Sequence, residues 1–305
     1  MNRVVQAVHQ RQPCLHLTLP EGDSALVSFF GAQVLSWQTA NGTEHLYLSP
    51  KAVFDGANPI RGGVPICFPQ FNQRVLQSRA LAKHGFARTL PWHLQGSTTA
   101  VDEANDAAND GANAQLTLTL TDDDLPAAVR AIWPFQFLAT LTVRLRPGQL
   151  RIDIAVQNTG SLPWPFALAM HSYLRVDDIG TTELHGLQGK RYWDAITHLA
   201  EPSSTQVQDA EPIRFAGEMD RVYQQTPSAL RLQLARHSIR IEQAPGFSET
   251  VVWTPGALLC AQLADLPADG YRQMLCVEAA KIDRPILLAA AESWHGWQQF
   301  SCQRT

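Results

Sequence analysis

From Phe137 to Arg146 apolar and polar residues alternate without a break. Ala139, Leu141, Val143 and Leu145 fall on one face of an extended chain, with Thr140, Thr142, Arg144 and Arg146 on the other. A helix would scatter these side chains around its axis, so only a strand can bury the apolar set together. Pro147-Gly148 follows, and then Leu150, Ile152, Ile154 and Val156 alternate with Arg151, Asp153 and Gln157. Two such runs about a short turn predict an antiparallel hairpin. Shorter runs recur at Leu15–Leu19, Ala25–Phe29, Gln33–Trp37, Leu116–Leu120, Leu230–Leu234, Ile239–Ile241, Thr250–Trp253 and Met274–Val277. No comparably long stretch keeps a helical period. Many short strands between turn signals, without regular strand–helix alternation, predict an all-β fold: a large antiparallel sandwich in a single domain over residues 1–305. The small, polar stretch Gly96–Gln115 reads as a mobile surface loop.

Composition narrows the partners. The 305 residues carry 24 lysines and arginines against 28 aspartates and glutamates, a net charge of −4 with pI near 6.2. No global basic field exists to hold nucleic acid or a membrane surface, so any anion site is a local pocket. Cys14, Cys67, Cys260, Cys276 and Cys302 are scattered without CxxC spacing, which fits neither a disulfide framework nor a zinc site. The N-terminal stretch lacks the apolar segment of a signal peptide, and the longest apolar run, Ile286–Ala291, is far short of the roughly 20 residues of a membrane helix. A cytoplasmic, monomeric protein with reduced thiols and no cofactor or metal is the expectation. The sequon at Asn41–Thr43 then reads as an Asn-Gly turn.

GxGxxG, GxxxxGK[ST], HExxH and GxSxG are all absent. Four other segments stand out. In Pro59-Ile60-Arg61-Gly62-Gly63-Val64-Pro65 two glycines would let backbone amides approach a ligand beside Arg61, unless this is a plain turn with a solvated arginine. Lys83-His84-Gly85-Phe86-Ala87-Arg88 sets three potential cations within six residues; extended, it would turn His84 and Arg88 toward one anion, with a solvated basic strand as the alternative. His171 ends an apolar run as a core histidine or a proton donor. Glu278 interrupts an apolar strand, sharing a face with Cys276 and Ala280, either as a structural ion-pair member or as a desolvated general base.

In chain order, IRGGVPICFPQF, KHGFAR, MHSYLRV, MDRVY, VVWTPG and LCVEAA resemble the successive motifs of the glucose-6-phosphate 1-epimerases, the hexose-6-phosphate mutarotases of the aldose 1-epimerase superfamily. The resemblance runs from about Gly31 to Glu278. It departs at Asn72, where the motif usually has glycine, and at Thr254, where the tryptophan motif often has asparagine. It implies a galactose-mutarotase-like supersandwich, with His171 as general acid and Glu278 as general base on opposite sides of a pyranose. It further implies Arg61 and Arg88 on the phosphate of a hexose 6-phosphate, Lys83 strengthening that contact, and Asp220 and His84 as substrate contacts. An epimerase acting on unphosphorylated sugars and a non-catalytic sugar-phosphate binder remain alternatives. A glycoside hydrolase would need a second strong carboxylate.

Overall fold

A computed structural model describes residues 3–74, 80–98, 114–197, 205–226 and 228–304. The hairpin forms where the alternation places it. Phe137–Arg146 pairs with Gln149–Asn158 in unbroken register, from Phe137 opposite Asn158 to Arg146 opposite Gln149. Pro147 is confined near φ −65° and Gly148 lies at +68°, the combination a type II turn requires.

This hairpin is the middle of a nine-stranded sheet. Ala114–Thr121 and then His93–Thr98 extend it on one side; Ser293–Arg304, His237–Gln243, Leu230–Gln233, Glu183–His185 and Ile213–Arg214 extend it on the other. A second, eight-stranded sheet is built around Met274–Leu288, which pairs with Glu249–Thr254 on one edge and with Trp164–Met170 and Tyr173–Arg175 on the other. Met219–Gln224 lies beyond Glu249–Thr254. A four-stranded sheet, Arg3–His9, Gln12–Thr18, Ser24–Ser28 and Val34–Gln38, completes the architecture. All strand pairs within the three sheets are antiparallel, as expected of a supersandwich. Among the described residues no helix is long and apolar enough to cross a membrane.

The loop expected over 96–115 is shorter at both ends, because Gly96–Thr98 and Ala114-Gln115 are already paired as strand; residues 99–113 lie outside the described residues. Ser293–Arg304 is a long strand that period-two reading misses, since SWHGWQQFSCQR mixes aromatic, polar and glycine positions on both faces.

The main core fills the space between the two large sheets, with Leu141, Val143, Ile152 and Ile154 packed toward Phe166, Leu168, Val252, Leu275 and Val277. Each such side chain contributes roughly 1.5–3 kcal/mol by leaving water. Strand parity then sends the intervening residues of the eight-stranded sheet to its other face. Cys67, Ala167, Ala169, Val251 and Ala280 form a separate small cluster there, next to one containing Tyr173 and Cys276.

Two glycines at positive φ separate turn strain from close packing. At Gly148 an added Cβ would meet nothing nearer than the Cys302 carbonyl at 3.9 Å, whereas at Gly85, φ +73°, it would lie 2.1 Å from the Phe68 carbonyl oxygen. Urea unfolding should show Gly148→Ala costing about 1 kcal/mol, the left-handed strain alone. Gly85→Ala should cost about 3 kcal/mol or more, with backbone forced to move.

Candidate active site

The second face of the eight-stranded sheet carries the candidate residues. Across neighbouring strands Asp220 lies opposite Trp253 and Trp253 opposite Cys276, while Val222 lies opposite Val251 and Val251 opposite Glu278. These two rows put Asp220, Trp253 and Glu278 on one surface, away from the main core, as the alternation about Glu278 predicts. His171 arrives from the other edge. It follows the strand Trp164–Met170, on the parity of Ala167 and Ala169, at a bend where pairing with Met274–Leu288 lapses and resumes at Tyr173 opposite Cys276. The bend is pinned by a buried pair: Ser172 Oγ donates to Gln298 Oε1 at 2.6 Å, and Gln298 Nε2 donates to the Val277 carbonyl at 2.9 Å.

Loops close the site. A cavity of about 420 Å³ opens on this face, and it is lined by His171, Glu278, Asp220 and the four residues Arg61, Lys83, His84 and Arg88. All seven positions singled out in the sequence thus meet in one place, with Trp253 and Phe71 as apolar wall. The local reasons differ from those expected. Gly62 and Gly63 do not admit a ligand: a Cβ on Gly62 would sit 2.4 Å from the Tyr47 carbonyl oxygen, and one on Gly63 would sit 2.2 Å from that of Val34. They let the segment pass flush against two backbones, which aims Arg61. Nor is the KHGFAR segment extended. His84 and Gly85 have φ of +65° and +73°, and Ala87–Thr89 is a 3₁₀ turn, so Phe86 points into the main core while His84 and Arg88 reach the cavity.

Asn72 has φ +52°, the left-handed region that glycine enters freely and asparagine tolerates better than other side chains. Its backbone N–H donates to His84 Nδ1 at 3.2 Å and its carbonyl accepts from the His84 N–H at 2.9 Å. His84 Nδ1 is therefore an acceptor, and the neutral ring carries its proton on Nε2. Thr254 is buried and its hydroxyl has no partner among the described residues, but it is not part of the lining of this cavity.

Tyr173 and Asp265 are neighbours of the candidate residues that sequence reasoning missed. Arg61 Nε donates to Asp265 Oδ2 at 3.0 Å and its Nη1 to the Tyr173 hydroxyl at 2.9 Å. Tyr173 stacks on His171 at 4.8 Å between centroids, and Trp253 meets the same imidazole edge-on. Two-residue spacing from His171 was the available signal for Tyr173; Asp265 lies 204 residues from Arg61 and offers none. Arg88 Nη2 donates to the Lys83 carbonyl at 2.8 Å, and neither Lys83 nor Arg88 enters an ion pair among the described residues.

His171 Nδ1 lies 3.3 Å from Glu278 Oε1. The two groups stand side by side, which corrects the expectation of an acid and a base facing each other across a ring. Glu278 is only 1% exposed. Burial pushes its carboxyl well above the usual carboxylate range, Asp220 adds to the rise, and Lys83 and Arg88 oppose it. Burial likewise holds His171 well below the ordinary histidine value, with Arg88 and Arg61 pressing the same way. With the carboxyl raised and the imidazole lowered, a proton bound to the pair favours Glu278, where the resemblance implies a protonated imidazole. Asp220 is pushed up to about 6 by burial, against Lys83, with Asp194 and Glu218 contributing to the rise.

His171, Cys276 and Glu278 each bring a donor atom within 4.8 Å of the others. A cation there would need both Cys276 and Glu278 ionised. Burial pushes both up, in a cavity already lined by Arg61, Lys83 and Arg88, so the donor set does not suit a metal ion.

Residues 13–301 match the family described as aldose 1-epimerase. Among curated relatives, "Putative glucose-6-phosphate 1-epimerase" of Cenchrus ciliaris is 34% identical over 276 residues, covering 89% of this chain and 79% of that one. The Escherichia coli K12 protein of the same name is 32% identical over 252 residues, 82% and 77% of the two chains. A crystal structure described as a putative mutarotase from Salmonella typhimurium superposes with TM-score 0.84 at 25% identity, covering 99% of this chain and 94% of that one. Galactose 1-epimerase from Lactobacillus acidophilus shares the fold, with TM-score 0.73 at 12% identity over 100% and 99% of the chains.

The electrostatics can be read directly. In the ligand-free protein, ¹⁵N and ¹³C imidazole shifts should show His84 and His171 still neutral at pH values where an exposed histidine is protonated. Midpoints near the ordinary 6.5 would mean that neither ring is desolvated as described.

Proposed function

The chain belongs to the aldose 1-epimerase family, and on that premise we propose that it is a glucose-6-phosphate 1-epimerase, interconverting the α and β anomers of a hexose 6-phosphate. One observation carries the choice of substrate. The cavity holding the His171–Glu278 pair also presents Lys83 and Arg88 without carboxylate partners among the described residues, a counter-charge that a free sugar would leave unused. The names of the relatives point the same way. Arg61, held protonated by Tyr173 and Asp265, orients the substrate and stiffens the wall beside His171, leaving the phosphate mainly to Lys83 and Arg88.

Mutarotation moves two protons. One goes to the ring oxygen and one leaves the hydroxyl on C1; the ring opens to the aldehyde, the C1–C2 bond turns, and closure on the other face reverses both transfers. The two oxygens share one carbon, so an acid and a base standing together serve both from one side. Whichever of Glu278 and His171 holds the shared proton gives it to the ring oxygen, while the other takes the hydroxyl proton. Closure returns both, and no cofactor is consumed. Neutral His84, donating through Nε2–H, and Asp220 hold sugar hydroxyls and limit how the ring can lie. Positioned proton transfers of this kind are worth roughly 10²- to 10⁴-fold each.

Anomer exchange of glucose 6-phosphate, followed by NMR above the spontaneous rate, tests the proposal. The wild type should accelerate the phosphate far more than glucose, and His171→Ala and Glu278→Gln should each lower kcat by about 10²- to 10⁴-fold. Equal rates on both sugars would instead mark an epimerase of unphosphorylated aldoses. No acceleration by folded protein would leave a sugar-phosphate binder.

Arg88→Ala should raise KM for the phosphate about tenfold to a hundredfold while changing kcat little; an unchanged KM would remove Arg88 from the phosphate site. The pH profile of kcat/KM should fall at both ends. On the acid side the lowered imidazole takes a second proton, with Asp220 titrating near 6 on the way. On the alkaline side the raised carboxyl of Glu278 loses the shared one. Persistence of the alkaline limb in Glu278→Gln would assign that limb elsewhere.

A further inference from the structure

Away from the sugar cavity, a second cavity of about 570 Å³ lies between the four-stranded and nine-stranded sheets, and its lining includes His45, His237 and Cys302. One ring nitrogen from each histidine and the Cys302 sulfur all fall within 4.8 Å of one another. Sheet pairing sets two of the three. Ile239 is directly opposite Cys302, and His237 lies two residues before Ile239 on the same face, so His237 and Cys302 are diagonal neighbours. His45 comes from the segment after Val34–Gln38, held by its own N–H to the Trp37 carbonyl and by the Arg175 N–H to its carbonyl.

The hydrogen bonds around His45 fix which nitrogen is bare. The Thr43 N–H donates to Asn41 Oδ1 at 3.1 Å, so that atom is an acceptor, and the Thr39 hydroxyl spends its one proton on the same oxygen at 2.8 Å. Thr39 Oγ1, 2.9 Å from His45 Nε2, can then only accept, which puts the imidazole proton on Nε2. His45 is 1% exposed, and its Nδ1 lone pair has no donor among the described residues; His237 Nε2 is likewise buried without a partner. Burial and the neighbouring His237 push His45 down to about 4, and burial lowers His237. Asp23, Asp177 and Glu21 share the lining with Arg236, so carboxylates outnumber the cation.

We propose that His45 Nδ1, His237 and Cys302 form a binding site for a borderline transition-metal dication of the zinc type. The donors are two neutral imidazoles and one thiolate, with the fourth position open to water or a carboxylate from the cavity. Cys302 releases its thiol proton to solvent as the metal–sulfur bond forms. Thr39 acts through His45, fixing its tautomer and ring orientation as an outer partner of a metal-bound histidine does. The three donors already lie within 4.8 Å of one another, close to the spacing of ligands about one ion. A bound ion then ties the segment after Val34–Gln38 to Ser293–Arg304, clamping the four-stranded sheet to the nine-stranded one.

Calorimetric titration of the untagged, chelator-treated full chain with zinc chloride should show one equivalent bound and a raised Tm. Cobalt(II) should give tetrahedral d–d bands and a thiolate-to-metal charge-transfer band. Cys302→Ser should abolish that band, and Cys302→Ser and His237→Gln should each weaken zinc binding at least about tenfold. Thr39→Val, which leaves all three ligands in place, should weaken it about tenfold. His171→Gln should bind as the wild type does, because the other His–Cys–Glu cluster is not the site. The proposal is overturned if millimolar zinc does not bind, if Cys302→Ser and His237→Gln bind unchanged, or if His171→Gln removes the site.

Discussion

A carboxyl group buried in the middle of a central strand is the constraint around which this molecule is arranged. Glu278 is 1% exposed, and its Oε2 has no hydrogen-bond partner among the described residues. Left ionised and alone it would cost several kcal/mol; left protonated and alone it would be inert near neutral pH. Two influences hold it between these outcomes. Burial and Asp220 push the proton on, Lys83 and Arg88 pull it off, and the His171 imidazole stands 3.3 Å away. Remove the cations and the carboxyl locks in its acid form. Bring a carboxylate against them and their pull on Glu278 is cancelled in the same way. Because neither Lys83 nor Arg88 has an ion-pair partner among the described residues, their charge acts on Glu278 in the ligand-free protein.

The loops follow from that need. The cations must reach over a strand whose own neighbours are apolar, and they do so on a segment that crosses Phe68 at Gly85 with no room for a side chain. The same crossing turns Phe86 into the main core and His84 toward the cavity, so one backbone contact serves stability and the site together. Gly62 and Gly63 do the equivalent for Arg61. In both segments glycine is required by the approach of one backbone to another, and the residue next to it lines the cavity.

These two cases show where reading the chain in one dimension stops. Parity along a strand is local, so the face occupied by Glu278, the hairpin about Pro147-Gly148 and the antiparallel class were all legible from alternation alone. The motif order brought together seven residues that do line one cavity. What parity could not supply was the backbone turn at His84 and Gly85, because KHGFAR is as compatible with an extended strand as with a left-handed turn until Phe68 is known to lie beneath it. Nor could it supply partners across the sandwich. Asp265 beneath Arg61 and Gln298 behind Ser172 are ordinary polar residues whose significance comes only from the contact. Ser293–Arg304 was invisible for a related reason: its aromatic side chains pack on both faces of a sheet, and the period is lost.

The fold holds two clusters with nearly the same donors and different surroundings. His171, Cys276 and Glu278 sit among Arg61, Lys83 and Arg88, while His45, His237 and Cys302 share a cavity with Asp23, Asp177 and Glu21. In the first, positive charge and burial together make it costly to add a cation. In the second, the lone pair of His45 is aimed by Thr39, and three carboxylates share the lining with a single arginine, Arg236. Donor identity is therefore a poor guide to function in either place. The sign of the surrounding field, more than the donors themselves, separates the proposed proton-transfer site from the proposed metal site.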